Sequence, residues 1–281
     1  MNKQKREFYE HCVANIRSAL KRYITDNNVK ALVLGISGGA DSTLTSILAR
    51  SVCDELEIPL IGASITIHSN KSDEQARARG VGRTFCTHFS EVGFSNEFEV
   101  LDEAINRNTV KEVTDEDPTR TSIRRGNVKA RMRMIYLYNI ANAHNGIVLS
   151  TDNYTELLLG FWTLHGDVGD FGMIQNLWKT EVYEMLEYFR DNSIYDPTVI
   201  DDVINADATD GLGITNTDLD QLLPGWEGSS RDGYAEVDTH LKSPADYPDS
   251  PAVLRMERTH FKRENPYNLS RESIVNVKEE A

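Results

Sequence analysis

Apolar positions along the chain alternate between two periods. Phe8, Cys12, Ile16, Ala19 or Leu20, and Tyr23 recur at three- and four-residue steps, which predicts an opening helix. Ala31 to Ile36 is a short apolar run, read as a buried strand, and Asp41 to about Leu56 follows as a helix with Leu44, Ile47 and Leu48 on one stripe. The alternation repeats. Leu60 to Ile67 reads as a second strand, and Ser72 with Gln75 as the capping box of the next helix. Thr87 to Glu91 reads as a short strand, Asn96 to Ile105 as a helix, Asn108 to Thr121 as a polar loop, and Gly126 to Asn142 as a long helix. Ile147 to Ser150 is a further strand. Gly160 to Asn176 has no period, Lys179 to Phe189 is helical, Ala206 to Thr217 is a loop, and a last helix opens at Ser250-Pro251. Strands separated by helices predict an α/β fold: a doubly wound, mostly parallel sheet with flanking helices. One domain is expected over residues 1–281, less regular from about residue 160 onward.

Charge narrows the classes of partner. A formal net charge of −14 disfavours binding to nucleic acid or to an anionic membrane surface. No apolar run is long enough to span a bilayer. Met1 to Arg6 is charged and leads into an amphipathic helix, not a secretory core. Cys12, Cys53 and Cys86 are odd in number and lack metal-ligand spacing, so reduced thiols in a cytoplasmic protein are expected.

Chemistry concentrates at the first strand end. In Gly35-Ile36-Ser37-Gly38-Gly39-Ala40-Asp41-Ser42, the glycines let backbone N–H groups converge on an anion, and the helix start behind them adds donors and a positive dipole end. This is a phosphate cradle without the Gly-Lys-Ser/Thr of a Walker loop. Asp41 stands where that lysine would be. A carboxylate beside a phosphate is repulsive unless a divalent cation lies between them, so Asp41 implies Mg²⁺.

Two other strand ends carry polar groups: His68-Ser69-Asn70, and Ser150-Thr151-Asp152-Asn153-Tyr154-Thr155-Glu156. Thr151 and Glu156 straddle a predicted helix start. They are either an N-cap and a first-turn acid, or ligand contacts with Glu156 as a second Mg²⁺ acid facing Asp41. Arg124, Arg125, Lys129, Arg131 and Arg133 form a basic run in an acidic chain, either a solvated helix face or a grip on an anionic ligand.

The loop resembles the SGG-x-DS loop of the ATP pyrophosphatases, which adenylate a substrate oxygen. The chain as a whole is similar to the ammonia-dependent NAD synthetases, whose fold is adenine nucleotide alpha hydrolase-like. The matching blocks are Gly35 to Ser42, Gly126 to Arg131, Ser150 to Glu156, Gly160 to Asp167 and Leu177 to Glu181; weaker matches are Ala208 to Leu212 and Phe261 to Arg263. They occur in family order across about Phe8 to Pro266. The resemblance implies that Gly35 to Ser42 hold the ATP phosphates, that Asp41 and Glu156 bind Mg²⁺, and that Thr151, Lys179 and Thr209 contact ATP. It further implies that Arg131, Asp170 and Lys262 contact deamido-NAD and that Phe161 packs on its nicotinate end, in a substrate-binding region over about 160–281. Leu164 and His165 replace a family lysine, and either His260 or Phe261 takes the place of a family histidine. A homodimer is also implied. The chain has no room for a glutaminase domain, so free ammonia is the expected nitrogen source.

The implied chemistry needs no covalent enzyme nucleophile: a carboxylate attacks the α-phosphorus of ATP, and ammonia then displaces AMP. Asp167 is the nearest candidate to take a proton from ammonium, or else a turn-stabilising residue. Two rival readings are another ATP pyrophosphatase acting on a different substrate and a non-catalytic nucleotide-binding module. The paired acids argue against the second, and the net charge of −14 against a tRNA enzyme.

Overall fold

Five parallel strands in the order β3-β2-β1-β4-β5 form the sheet of the computed structural model, which describes residues 1–68, 71–108, 117–192, 195–208 and 217–275. In chain order the elements of its first half are α1 (Lys3–Asp26), β1 (Leu32–Gly35), α2 (Ala40–Leu56), β2 (Leu60–Thr66), α3 (Ser72–Phe85), β3 (His88–Gly93), α4 (Ser95–Asn108), α5 (Pro118–Ala143) and β4 (Ile147–Ser150). The second half adds α6 (Tyr154–Leu159), β5 (Phe171–Gly172), α7 (Lys179–Asn192), α8 (Pro197–Ile204), α9 (Leu219–Leu222), α10 (Ser230–Lys242), α11 (Pro251–Arg258) and α12 (Arg271–Val275).

Strand side chains alternate between two faces, and both faces are covered. Leu32, Leu34 and Leu60 enter a core with α1, α2, α3, α7 and α8, whereas Val33, Ile61, Ala63 and Ile65 pack against Phe98 of α4 and Leu137 and Ala141 of α5. Leu32 lies opposite Leu60 on one side and Ile147 on the other, so β1 is central and its residues from Leu32 to Leu34 are fully buried. The chain winds outward from β1 through β2 to β3, then returns to place β4 on β1's other side. The order reverses between β1 and β4. Beyond the carboxyl ends of those strands a crevice opens, which is where ligands bind in open α/β sheets.

The doubly wound parallel sheet agrees with the sequence pattern, and several local readings are corrected. The buried stripe of α1 is Tyr9, Val13, Leu20 and Ile24, shifted by one residue from the predicted stripe, and Phe8 is exposed. α3 is capped one residue earlier than read: the Glu74 carboxylate accepts from the Lys71 N–H at 3.2 Å. The segment read as loop to Thr121 already turns helical at Pro118, with Asp117 as N-cap; residues 109–116 lie outside the described residues. Tyr154 opens α6 with Asn153 as its N-cap, so Thr151 is not the cap. The aperiodic stretch from Gly160 contains β5, a two-residue strand too short for any period to show.

The second half is more regular than its sequence suggested. Leu159, Leu219, Leu222, Tyr234, Val237, Leu241 and Ala252 form a satellite core that joins α6 to α9, α10 and α11. Cations from the end of the chain close the C-terminus of α6. Arg263 donates to the Leu158 carbonyl at 2.6 Å, Arg255 to Leu159 at 2.9 Å, and the Lys262 ammonium to the carbonyls of Gly160 and Trp162. The Leu158 and Leu159 carbonyls end the helix without a partner inside it and carry its negative dipole end, so cations are favoured there.

Candidate active site

A cleft of about 380 Å³ lies at the β1/β4 crevice, a size ordinary for small-molecule sites. Gly35 to Ser42 form one wall, with Thr151, Glu156, Asp167 and Lys179 opposite. The loop is shaped by its glycines. Gly38 has φ +82°, and a Cβ there would meet the α3 backbone at Ala78 N (2.6 Å) and Glu74 O (2.9 Å). Gly39 is the N-cap of α2 and carries no side chain to occupy the helix end. Ser42 and Thr43 turn their hydroxyls back to the Gly39 carbonyl, at 3.2 and 2.8 Å, and Ser37 Oγ lies 3.1 Å from Ser42 Oγ. What remains is a helix N-terminus presented to the cleft, suited to phosphate.

Three charged side chains meet beside this loop. Lys179, the first residue of α7 and 4 % exposed, donates its ammonium to Asp41 Oδ2 and, at 3.0 Å, to Glu156 Oε1. Asn153 completes the cluster: its Nδ2 donates to Asp41 Oδ1 at 2.7 Å, and its Oδ1 accepts from the Glu156 N–H at 3.0 Å. Asp41 belongs to α2, Glu156 to α6 and Lys179 to α7, so the crevice draws one group from each of three elements. The ring of Tyr234 lies 5.2 Å from the Lys179 ammonium.

One cation serves two carboxylates here, and burial sharpens the imbalance. Burial disfavours the Lys179 ammonium, but Asp41 and Glu156 outweigh it and hold the amine protonated well above its ordinary range. Glu156 is pushed up to about 8, first by burial and then by the charge of Asp41, with Lys179 opposing. The site therefore accommodates further positive charge near Glu156. Asp152, buried close by, is pushed up to about 7 mainly by burial, although its hydrogen bond from Ser150 at 2.7 Å opposes the shift. Asp167 is also raised by burial, while its Oδ1 accepts from the Thr163 N–H at 2.7 Å.

Several candidate residues stand apart from this cleft. Arg131 is exposed, pairs with no acid among the described residues, and donates to the Leu164 carbonyl at 2.8 Å and the Asn127 carbonyl at 3.4 Å. Asp170 accepts from Tyr138 Oη and from the Val148 N–H, both at 2.9 Å, and so ties α5 to β4. Phe161 packs in the satellite core under the guanidinium of Arg255, 4.0 Å from the ring centroid. Lys262, pushed down to about 8 by burial, lines a second cavity with Asp152, Trp162 and His165. His260 and Phe261 are exposed on a 3₁₀ turn, His260–Glu264. His68 pairs with Glu99 at 2.9 Å, while Ser69, Asn70 and Thr209 lie outside the described residues.

Arg133 of the basic run lines the cleft from α5. Arg77 of α3, which the sequence pattern did not mark, lines it too, and its Nε is buried without a hydrogen-bond partner among the described residues. In sequence Arg77 is simply the i+4 partner of Asp73, a pair the structure contains at 2.9 Å. Asn153 reads as a cap, which it is; only the fold reveals that its amide reaches Asp41.

The family model for NAD synthase matches residues 12–266, nearly the whole length. The chain belongs to the NAD synthase family. The NH3-dependent NAD+ synthetase of Thermoplasma acidophilum is 32 % identical over 273 residues, covering 94 % of this chain and 99 % of that protein. In fold the chain is similar to the NMN synthetase of Francisella tularensis (TM-score 0.70, 21 % identity, 93 % of this chain and 97 % of that one). It is also similar to the NH3-dependent NAD synthetase of Campylobacter jejuni (TM-score 0.66, 20 % identity, 93 % and 99 % covered). The NAD synthase architecture thus supplies the sheet reversal at which Asp41, Glu156 and Lys179 meet.

Gly38→Ala should act on this wall directly. Positive φ and the closeness of the α3 backbone are both unfavourable to a Cβ, so the variant should lose about 1–3 kcal/mol of stability and bind ATP more weakly. Urea unfolding and titration calorimetry with ATP check the two effects; wild-type ATP affinity would remove the loop from the nucleotide site.

Proposed function

We infer that this NAD synthase family member amidates deamido-NAD with ammonia at the expense of ATP, giving NAD, AMP and pyrophosphate. The observation that carries the reading is the buried meeting of Asp41, Glu156 and Lys179 beside a glycine loop at the sheet reversal. A pure nucleotide-binding module has no need to bury two carboxylates against the phosphate position.

The reaction runs in two balanced steps. The nicotinate carboxylate oxygen bonds to the α-phosphorus while the α–β phosphoanhydride bond breaks and pyrophosphate leaves. Ammonia then adds to the acyl carbon, AMP leaves with the bonding electrons, and one proton passes to a base. Loop N–H groups at Gly38 to Ser42 and the Lys179 ammonium hold the phosphates in line. Arg77 and Arg133 border the same cleft and add positive charge for the dinucleotide or pyrophosphate. Asp167 lines the cleft and is raised by burial, so its carboxylate takes up protons more readily than an exposed one and suits the removal of a proton from ammonium.

Asp41 and Glu156 would hold Mg²⁺. Among the described residues no group of three or more His, Cys, Asp or Glu side chains forms a complete metal cage. Two carboxylates completed by substrate phosphates suit Mg²⁺, which is commonly held in that way. When bound, such an ion supplies neutralisation of the charge gathering on the phosphate oxygens. We also propose a homodimer through α4 and α5, where Val100 and Ile135 stand 71 % and 69 % exposed beside Leu101, Ile105 and Ile123. No helix among the described residues is long and apolar enough to cross a membrane; a cytoplasmic location is part of the same proposal.

Purified protein with ATP, Mg²⁺, deamido-NAD and ammonium should form AMP and NAD in equal amounts, and glutamine should not replace ammonium. Nicotinic acid mononucleotide in place of deamido-NAD tests substrate length; its preferential use would overturn the dinucleotide assignment. Asp41→Asn keeps Glu156 opposite Lys179 and should fold, yet slow AMP formation about 100-fold or more. Wild-type turnover at saturating Mg²⁺ would sink the metal role. Sedimentation at micromolar concentration should show a dimer that Ile135→Glu weakens, whereas a monomeric wild type would refute the assembly.

A further inference from the structure

We propose that Asp238 of α10 is a positioning residue that sets Lys179 and Glu156 without touching substrate. The inference rests on the ATP role proposed above for those two residues. Asp238 is 1 % exposed and does not line the cleft. Its Oδ1 accepts from Thr155 Oγ1 at 2.5 Å; its Oδ2 accepts from the Thr180 N–H at 2.9 Å and from Thr180 Oγ1 at 2.7 Å. Thr155 Oγ1 in turn accepts from the Lys179 N–H at 2.9 Å.

The first N–H groups of a helix have no partner within it, and an anion at that end is favoured by the dipole. α7 begins at Lys179, where the chain's own preceding residue, Trp178, spends its N–H on Glu181 at 2.8 Å. The N–H groups of Lys179 and Thr180 are met instead from outside the segment, by Thr155 of α6 and Asp238 of α10. One carboxylate therefore pins the starts of two helices against each other. Glu156 follows Thr155 directly, and Lys179 precedes Thr180. Four residues before Asp238, on the same face of α10, Tyr234 puts its ring under the Lys179 ammonium and anchors its own hydroxyl on Asp218 at 2.9 Å. α10 thus reaches the Lys179 backbone through Thr155 and its ammonium through the Tyr234 ring.

The geometry distinguishes which substitutions matter. Asp238→Ala leaves three donors without an acceptor. Asp238→Asn keeps one oxygen for the Thr180 pair, and its amide can donate to Thr155 Oγ1, which still has a free lone pair. Thr155→Val strips the hydroxyl that joins Asp238 to the Lys179 N–H, and Thr155→Ser restores it.

The test is steady-state kinetics on these four variants, with ATP affinity measured by calorimetry in the presence of Mg²⁺. Asp238→Ala and Thr155→Val should lower kcat for AMP formation about 10- to 100-fold, the cost of misplacing a reacting group, with KM for deamido-NAD little changed. Asp238→Asn and Thr155→Ser should recover most of the loss. Should Asp238→Ala fail to fold, the Val and Ser pair at Thr155 carries the test. A purely structural role predicts a lower Tm with wild-type kcat and ATP affinity below the melting range, and that result would overturn the proposal. An inactive wild type would strike the proposed function alone. ATP affinity that falls in Asp238→Ala and Thr155→Val and returns in Asn and Ser supports the positioning role even then.

Discussion

A single ammonium between two buried carboxylates organises the functional half of this molecule. Removing charges from water is costly, and the cost is offset only where geometry and further hydrogen bonds are good. Asp41, Glu156 and Lys179 meet that condition because each is set by something else: Asp41 by the first turn of α2 and the Asn153 amide, Glu156 by the cap of α6, Lys179 by the start of α7. Burial first, and then the charge of Asp41, raises Glu156, so one cation shared by two acids leaves the crevice receptive to more positive charge. A protein that only needed stability would do as well with apolar side chains there.

That cluster depends on the sheet in turn. At the reversal of strand order between β1 and β4, the loop after β1 and the segment after β4 line one cleft. The two apolar faces keep the strands in place from either side, and the helices that cover them add Arg77 and Arg133 at the rim of the crevice. Chemistry sits at the ends of strands because burial covers the faces.

The periodic half of this logic was legible before the fold. Short apolar runs followed by helical stripes mark the parallel sheet, and the Gly38-Gly39 turn before Asp41 marks the loop that lines the cleft. Phe8 misled because it extends the α1 stripe by spacing, while Tyr9, one position on, is the buried ring. β5 is too short for any period to register. Asn153, Arg77 and Asp238 were opaque for another reason. Each looks like an ordinary helix cap, helix pair or helix acid, and what gives it a place at the site lies far away in sequence. Thr155 and Asp238 are separated by 83 positions, and no local pattern encodes that pairing. The cations of the last segment teach the same lesson: Lys262 was a ligand candidate by resemblance, and in the fold it meets the carbonyls of Gly160 and Trp162.

Those long separations have a consequence for the order in which the protein becomes competent. Lys179 closes on Asp41 across 138 positions, and the clamp from α10 arrives still later along the chain. Contacts of such span are slow to form, because the loop must be closed before it is rewarded. During synthesis from the N-terminus the glycine loop and its acid emerge well before their partners, and over the next 138 positions Asp41 has neither its cation nor the helix that steadies it. The cleft is therefore assembled late: α7 and α10 complete a motif that α2 began.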